Sequence, residues 1–125
     1  MYRRCEIGML NVKDNYTRKA KVVNIVDGDT IDVEIDLGFH ATIKERVRLL
    51  RVNCPEKFGE TKEEGLRAKE FATKELLGKE ISLITHKTDS FKRWLGEVYY
   101  MNDNNEVRNF SNELLRNGYA VEFMV

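Results

Sequence analysis

The segment "KVVNIVDGDTIDVEID" constrains the fold more than any other part of the chain. Lys21–Val26 reads as a strand, an Asp-Gly pair follows, and Asp29–Asp36 sets Ile31, Val33 and Ile35 against polar neighbours. Alternation of period two puts successive side chains on opposite faces of a strand, so these residues face one core. Asp-Gly between two such runs is a strong hairpin signal. A helix cannot hold this pattern, so the chain opens with an antiparallel pair.

The remaining signals extend a meander. "LGFH" turns the chain, and "ATIKERVRLLRV" (41–52) predicts a third strand, long enough to bend around a barrel and ended by Cys54-Pro55 because proline lacks the ladder donor. "TKEEGLRAKEFATKELLGK" predicts a helix, with Thr61 and Glu64 in a capping-box pattern, Ala68, Phe71, Ala72 and Leu76 on one face, and Gly78 as its stop. Glu80–Lys87 and Arg93–Met101 predict two more strands, the second closed by the turn residues "NDNN". A short helix over Ser111–Asn117 stops at Gly118, and "YAVEF" pairs back onto the sheet. Three strands, a helix, two strands and a helix predict a mainly β, α+β domain: a five-stranded β-barrel of OB type with two or three packed helices. The domain is expected over 19–125, with residues 1–18 an arm or an extra strand.

Charge narrows the function classes. The 21 basic and 21 acidic residues cancel, so no global field draws the chain to nucleic acid, and any such binding needs a local patch. No stretch is apolar for long enough to span a membrane. "MYRRCEIGML" has no apolar signal-peptide core, so a cytoplasmic protein is expected, and a monomer.

Taken singly, the chemistry-bearing residues read blandly. Asp-Gly is the commonest hairpin turn, though Asp29 could offer a carboxylate to a hard cation. Arg48 shares strand parity with Lys44 and Arg46, as on a solvated sheet face. Glu56 lies just past a strand, and Arg93 beside Trp94 reads as a rim charge over aromatic surface. His40 and His86 have no ligand spacing.

Their order and spacing are specific together. "IVDGDTIDV", "VRLLRVNCPE", a helix, "TDSFKRWLGEVY" and "NELLRNGYA" carry D-G-D-T, R-L-L-x-[VI]-[DN]-x-P-E and D-x-[FY]-x-R. From about Lys21 to Val125 the chain resembles the staphylococcal nuclease-like (thermonuclease) family. The resemblance implies the OB-type barrel and a Ca²⁺-dependent nuclease that hydrolyses phosphodiester bonds in DNA or RNA, with single-stranded nucleic acid as substrate. It assigns Arg48 and Arg93 to the phosphate, Glu56 to the attacking water, and Phe91 to stacking against the substrate. It assigns the metal to Asp29, Asn53 and the backbone carbonyl of Cys54, with Asp27 behind them. The chemistry is coherent. Two guanidinium forks and a cation neutralise the phosphate charge that repels a nucleophile.

Asn53 departs from the family pattern, which has a carboxylate there. A neutral amide oxygen in its place implies weak Ca²⁺ binding, room for other divalent ions and an attenuated activity. The alternative is a catalytically silent OB-type nucleic-acid-binding domain. Cys54 replaces a threonine, which is tolerable where only the backbone carbonyl ligates.

Cys5 and Cys54 form no C-x-x-C pair and are expected to remain thiols. Alkylation of unfolded, non-reduced protein should add two labels by intact mass; none would mean a disulfide.

Overall fold

The computed structural model describes residues 16–55, 59–90 and 93–123. The strands are β1 (Tyr16–Asp27), β2 (Thr30–Gly38), β3 (Ala41–Leu49), β4 (Val52–Asn53), β5 (Glu80–Thr88), β6 (Trp94–Met101), β7 (Val107–Asn109) and β8 (Val121–Glu122). A 3₁₀ turn, Gly59–Thr61, leads into α1 (Lys62–Leu76), and α2 covers Phe110–Arg116.

The sheet order β3-β2-β1-β5-β6 closes on itself through a parallel β3–β6 pairing. The result is the expected five-stranded barrel, with β7 as a sixth strand on the outside of β6. The first hairpin turns on Gly28-Asp29, between the paired residues Asp27 and Thr30, one residue later than Asp-Gly alone predicts. Irregularities between Val22 and Asn24 and between Ile25 and Asp27 add the twist that closure needs.

Inside lie Val22, Ile31, Val33, Val47, Leu83 and Val98, all fully buried. The alternation of Ile31, Val33 and Ile35 therefore has its predicted meaning. Gly96 sits where the barrel seals: a Cβ there would come within 2.9 Å of the Ile84 carbonyl oxygen and 3.4 Å of Val47. Helix α1 contributes Ala68, Ala72 and Leu76 to the core. Phe71 bridges to α2, stacking on Phe110 at 5.7 Å and on Tyr119 at 4.7 Å.

Four local expectations need correction. The first strand begins at Tyr16, earlier than Lys21. The third strand does not run to Val52; it ends at Leu49, and Leu50 and Arg51 turn the chain before β4. Arg51 adopts a left-handed φ of 72°, which its alternating pattern does not foretell. Thr61 makes no side-chain cap bond because it closes the 3₁₀ turn with φ −100° and ψ 14°. The second helix is capped by Asn109, whose side chain accepts from the Asn112 N–H at 3.1 Å. Gly78 does stop α1, with φ +80°, and its N–H donates to the Val22 carbonyl at 2.9 Å. "YAVEF" does return, but as β8 it pairs with β4 in a separate two-stranded ribbon.

Gly28 holds α1 against the first hairpin. A Cβ there would lie 2.7 Å from Ala68 Cβ and 2.9 Å from Cys54 Sγ. Gly28→Ala should destabilise the domain by about 1–3 kcal/mol through overpacking. Urea unfolding should show a lower midpoint at unchanged slope, and an unaltered midpoint would show that α1 does not rest on the turn.

Candidate active site

The site grows from the turn of the first hairpin. Asp29 occupies the second turn position and is 7% exposed. Its Oδ2 accepts the Cys54 N–H at 2.9 Å, and its Oδ1 accepts the Thr30 hydroxyl at 3.1 Å. Its own carbonyl accepts the Leu49 N–H at 2.9 Å. The turn is thus tied to the end of β3 and to the chain just beyond β4.

Arg48, on β3, lies across from Thr30 on β2 and from Leu95 on β6. Lys44 and Arg46 are exposed, as their shared face predicts, but Arg48 is only 8% exposed. The expected solvated face therefore ends at Arg48. The β4–β8 ribbon accounts for the cover. Arg48 Nη1 donates to the carbonyls of Leu49 at 2.9 Å and Val52 at 2.8 Å. Its Nη2 donates to Asn53 Oδ1 at 3.2 Å, and Nη1 lies 3.5 Å from Asp29 Oδ2. The Phe123 ring, just past β8, lies 5.9 Å from the guanidinium carbon. This contact escaped the sequence reading, although the aromatic in "YAVEF" was visible.

Cys54 lies between these charges. Burial pushes its thiol up to about 12, the negative charges of Asp29 and Asp27 add to the shift, and Arg48 opposes it. A thiol held neutral in this way is a poor partner for a hard cation. Only the Cys54 carbonyl suits a hard cation.

Arg93 precedes β6, whose first residue, Trp94, pairs with Val47. Asp89 holds it: Nε donates to Oδ2 at 2.8 Å, Nη2 lies 2.7 Å from the same oxygen, and the Arg93 N–H donates to Oδ1 at 2.9 Å. The Asp89 N–H returns a bond to the Arg93 carbonyl at 2.8 Å. Asp89 is a positioning residue that the sequence reading did not single out, although it opens the D-x-[FY]-x-R motif.

Arg51 anchors the turn that carries the chain from Arg48 to Asn53. Its Nη2 donates to Glu97 Oε1 at 2.8 Å and to Asn109 Oδ1 at 3.3 Å, and Asn109 Nδ2 donates to the same Glu97 oxygen at 2.9 Å. Burial raises the Glu97 carboxyl, but the bonds from Arg51 and Asn109 outweigh it and hold the group below its usual range.

The structure thus brings Asp29, Arg48, Asn53 and Cys54 into direct contact and sets Arg93 at the start of the strand beside β3. Glu56 and Phe91 lie outside the described residues. Among the described residues no group of three or more His, Cys, Asp or Glu is placed to hold a metal. The oxygen donors near Asp29 are one carboxylate and one neutral amide oxygen, both already accepting protein hydrogen bonds and both beside the Arg48 guanidinium, a set that could hold a hard cation only loosely. Water and phosphate would have to supply most of the six to eight oxygens that Ca²⁺ takes.

Comparison with known proteins agrees with this geometry. The family model of the staphylococcal nuclease homologues matches residues 46–125. An uncharacterized protein of Methanocaldococcus jannaschii is 34% identical over 124 residues, covering 81% of this chain and 57% of its own. Endonuclease Htp3 of Saprolegnia parasitica is 36% identical over 117 residues, covering 83% of this chain and 55% of its own. The chain thus spans a little over half the length of these relatives. The family match takes in Arg48, Asn53 and Arg93, and with the closed barrel it establishes that the chain belongs to the staphylococcal nuclease homologue family.

Proposed function

We propose that the chain is an endonuclease that hydrolyses phosphodiester bonds of DNA or RNA, with a weakly held divalent cation, Ca²⁺ first among them. The observation that carries this reading is the junction of Arg48 with Asp29, two buried opposite charges 3.5 Å apart at the end of the first hairpin. A buried ion pair is a weak source of stability, because desolvation offsets most of its attraction. Its position among family motifs supports a role in chemistry.

Arg48 and Arg93 bind the non-bridging phosphate oxygens, whose charge grows towards the transition state. Glu56 accepts a proton from the attacking water as its oxygen bonds to phosphorus and the bond to the leaving oxygen breaks. Asp29, Asn53 and the Cys54 carbonyl would hold the cation, with Asp27 adding negative charge nearby. When bound, such a cation offsets phosphate charge and lowers the pKa of a coordinated water. A second reading, nucleic-acid binding without turnover, draws on Asn53, whose Oδ1 accepts from Arg48.

Cleavage of single-stranded DNA and RNA should be measured with Ca²⁺, Mg²⁺, Mn²⁺ and chelator. Turnover should require metal and fall about 10²-fold or more in Glu56→Gln and in Arg48→Lys. Lysine is preferable to alanine at 48. Arg48→Ala would strip the Leu49 and Val52 carbonyls of their donor and cost about 1–3 kcal/mol of stability. Salt-sensitive binding with no turnover in any metal would select the second reading, and absence of both would sink the two together.

Asn53→Asp tests the cation separately. Restoring a carboxylate beside Asp29 should tighten Ca²⁺ binding about tenfold, on the order of 1.4 kcal/mol, in a calorimetric titration. Equal affinities would mean that Asn53 serves Arg48 alone.

A further inference from the structure

The barrel is not filled at one end. β3 starts at Ala41, but its pairing with β6 starts only at Val47. The early part of β3 therefore lacks a partner on that side, and the wall is incomplete. A cavity of about 410 Å³ opens there, walled by Ile35, Ile43, Leu83 and Trp94, with Glu45 and His86 also lining it. Trp94 is half-buried and packs against the core from this end.

We propose that this mouth is a nucleobase subsite, in which the base of a nucleotide whose phosphate lies at Arg93 stacks on Trp94. The proposal rests on the phosphodiesterase reading above and extends it along the substrate. Arg93 is held by Asp89 just before β6, while Trp94, the first residue of β6, lines the mouth at the rim of the wall. A nucleotide straddling that rim places its charged part outside and its flat part within. The lining suits a base better than a hydrocarbon. Ile35, Ile43 and Leu83 contact a flat apolar face, while Glu45 and His86 offer hydrogen-bonding partners to a polar edge. Stacking on an aromatic side chain accepts any base, because every base has a π-face.

Trp94 is the single tryptophan of the chain, so its emission reports on the mouth alone. The full chain, held in chelator to prevent turnover, is titrated with an end-labelled single-stranded oligodeoxynucleotide and with an abasic strand of equal length. Anisotropy of the label gives occupancy. At matched occupancy the base-bearing strand should quench Trp94 and the abasic strand should not. Ile43→Lys, at a position already 42% exposed, puts a charge in the mouth without opening the core. It should raise KM for the base-bearing strand about tenfold relative to that for the abasic strand, whose phosphates feel the same added charge. Trp94→Leu should weaken binding by a similar factor. Binding or cleavage with silent tryptophan, equal quenching by the abasic strand, or an unaltered KM ratio between the two strands in Ile43→Lys would overturn the subsite and leave the nuclease reading standing. Failure of both strands to bind at low salt, with no turnover in any metal, would remove both.

Discussion

The guanidinium of Arg48 is the charge around which this domain is arranged. A buried cation must have its donors satisfied, and here the acceptors come from three places: Leu49 at the end of its own strand, Val52 and Asn53 on β4, and Asp29 in the first hairpin. The carbonyls of Leu49 and Val52 can both reach Nη1 because β3 stops and the chain doubles back. The break that a strand pattern does not predict is therefore the same feature that houses the charge. Removing the arginine would take the common partner from all three segments.

Around that centre the electrostatics are arranged in layers. The chain as a whole is neutral, yet each of the two motif arginines has its own carboxylate: Asp29 beside Arg48 and Asp89 around Arg93. These partners fix the guanidinium planes, and on the proposed function a phosphate group would have to compete with them, which would set the balance between affinity and orientation. Asn53 fits the same economy, since it supplies an acceptor to Arg48 without a second negative charge near the substrate.

Much of this was legible in the sequence, and the rest was hidden for definable reasons. Ile31, Val33 and Ile35 gave the inner face of β2 because alternation is a local property. The parity of Arg48 was equally visible, but its burial was not, since the cover comes from β4 pairing with β8, residues far apart in the chain. Arg51 gave no sign of a left-handed turn, because that conformation is upheld by Glu97 and Asn109 rather than by a glycine. Thr61 and Glu64 matched a helix start, but a 3₁₀ turn occupied the place first. The motif spacing pointed to Asp29, Arg48, Asn53 and Cys54 as one site, and these four do touch; for Glu56 and Phe91 the assignment still rests on the motifs alone.

The parallel pairing of β3 with β6 has a kinetic consequence. It joins Val47, Arg48 and Leu49 to Trp94, Leu95 and Gly96 across a long stretch of intervening chain. Hairpins such as β1–β2 and β5–β6 close small loops and form early, whereas a seam of this kind must meet a larger entropic cost before its contacts repay it. The seam is therefore a late event in folding and, by the same reasoning, an early one to loosen. Since it brings the segments carrying Arg48 and Arg93 side by side, the alignment of these two arginines on warming should be lost before the barrel's secondary structure.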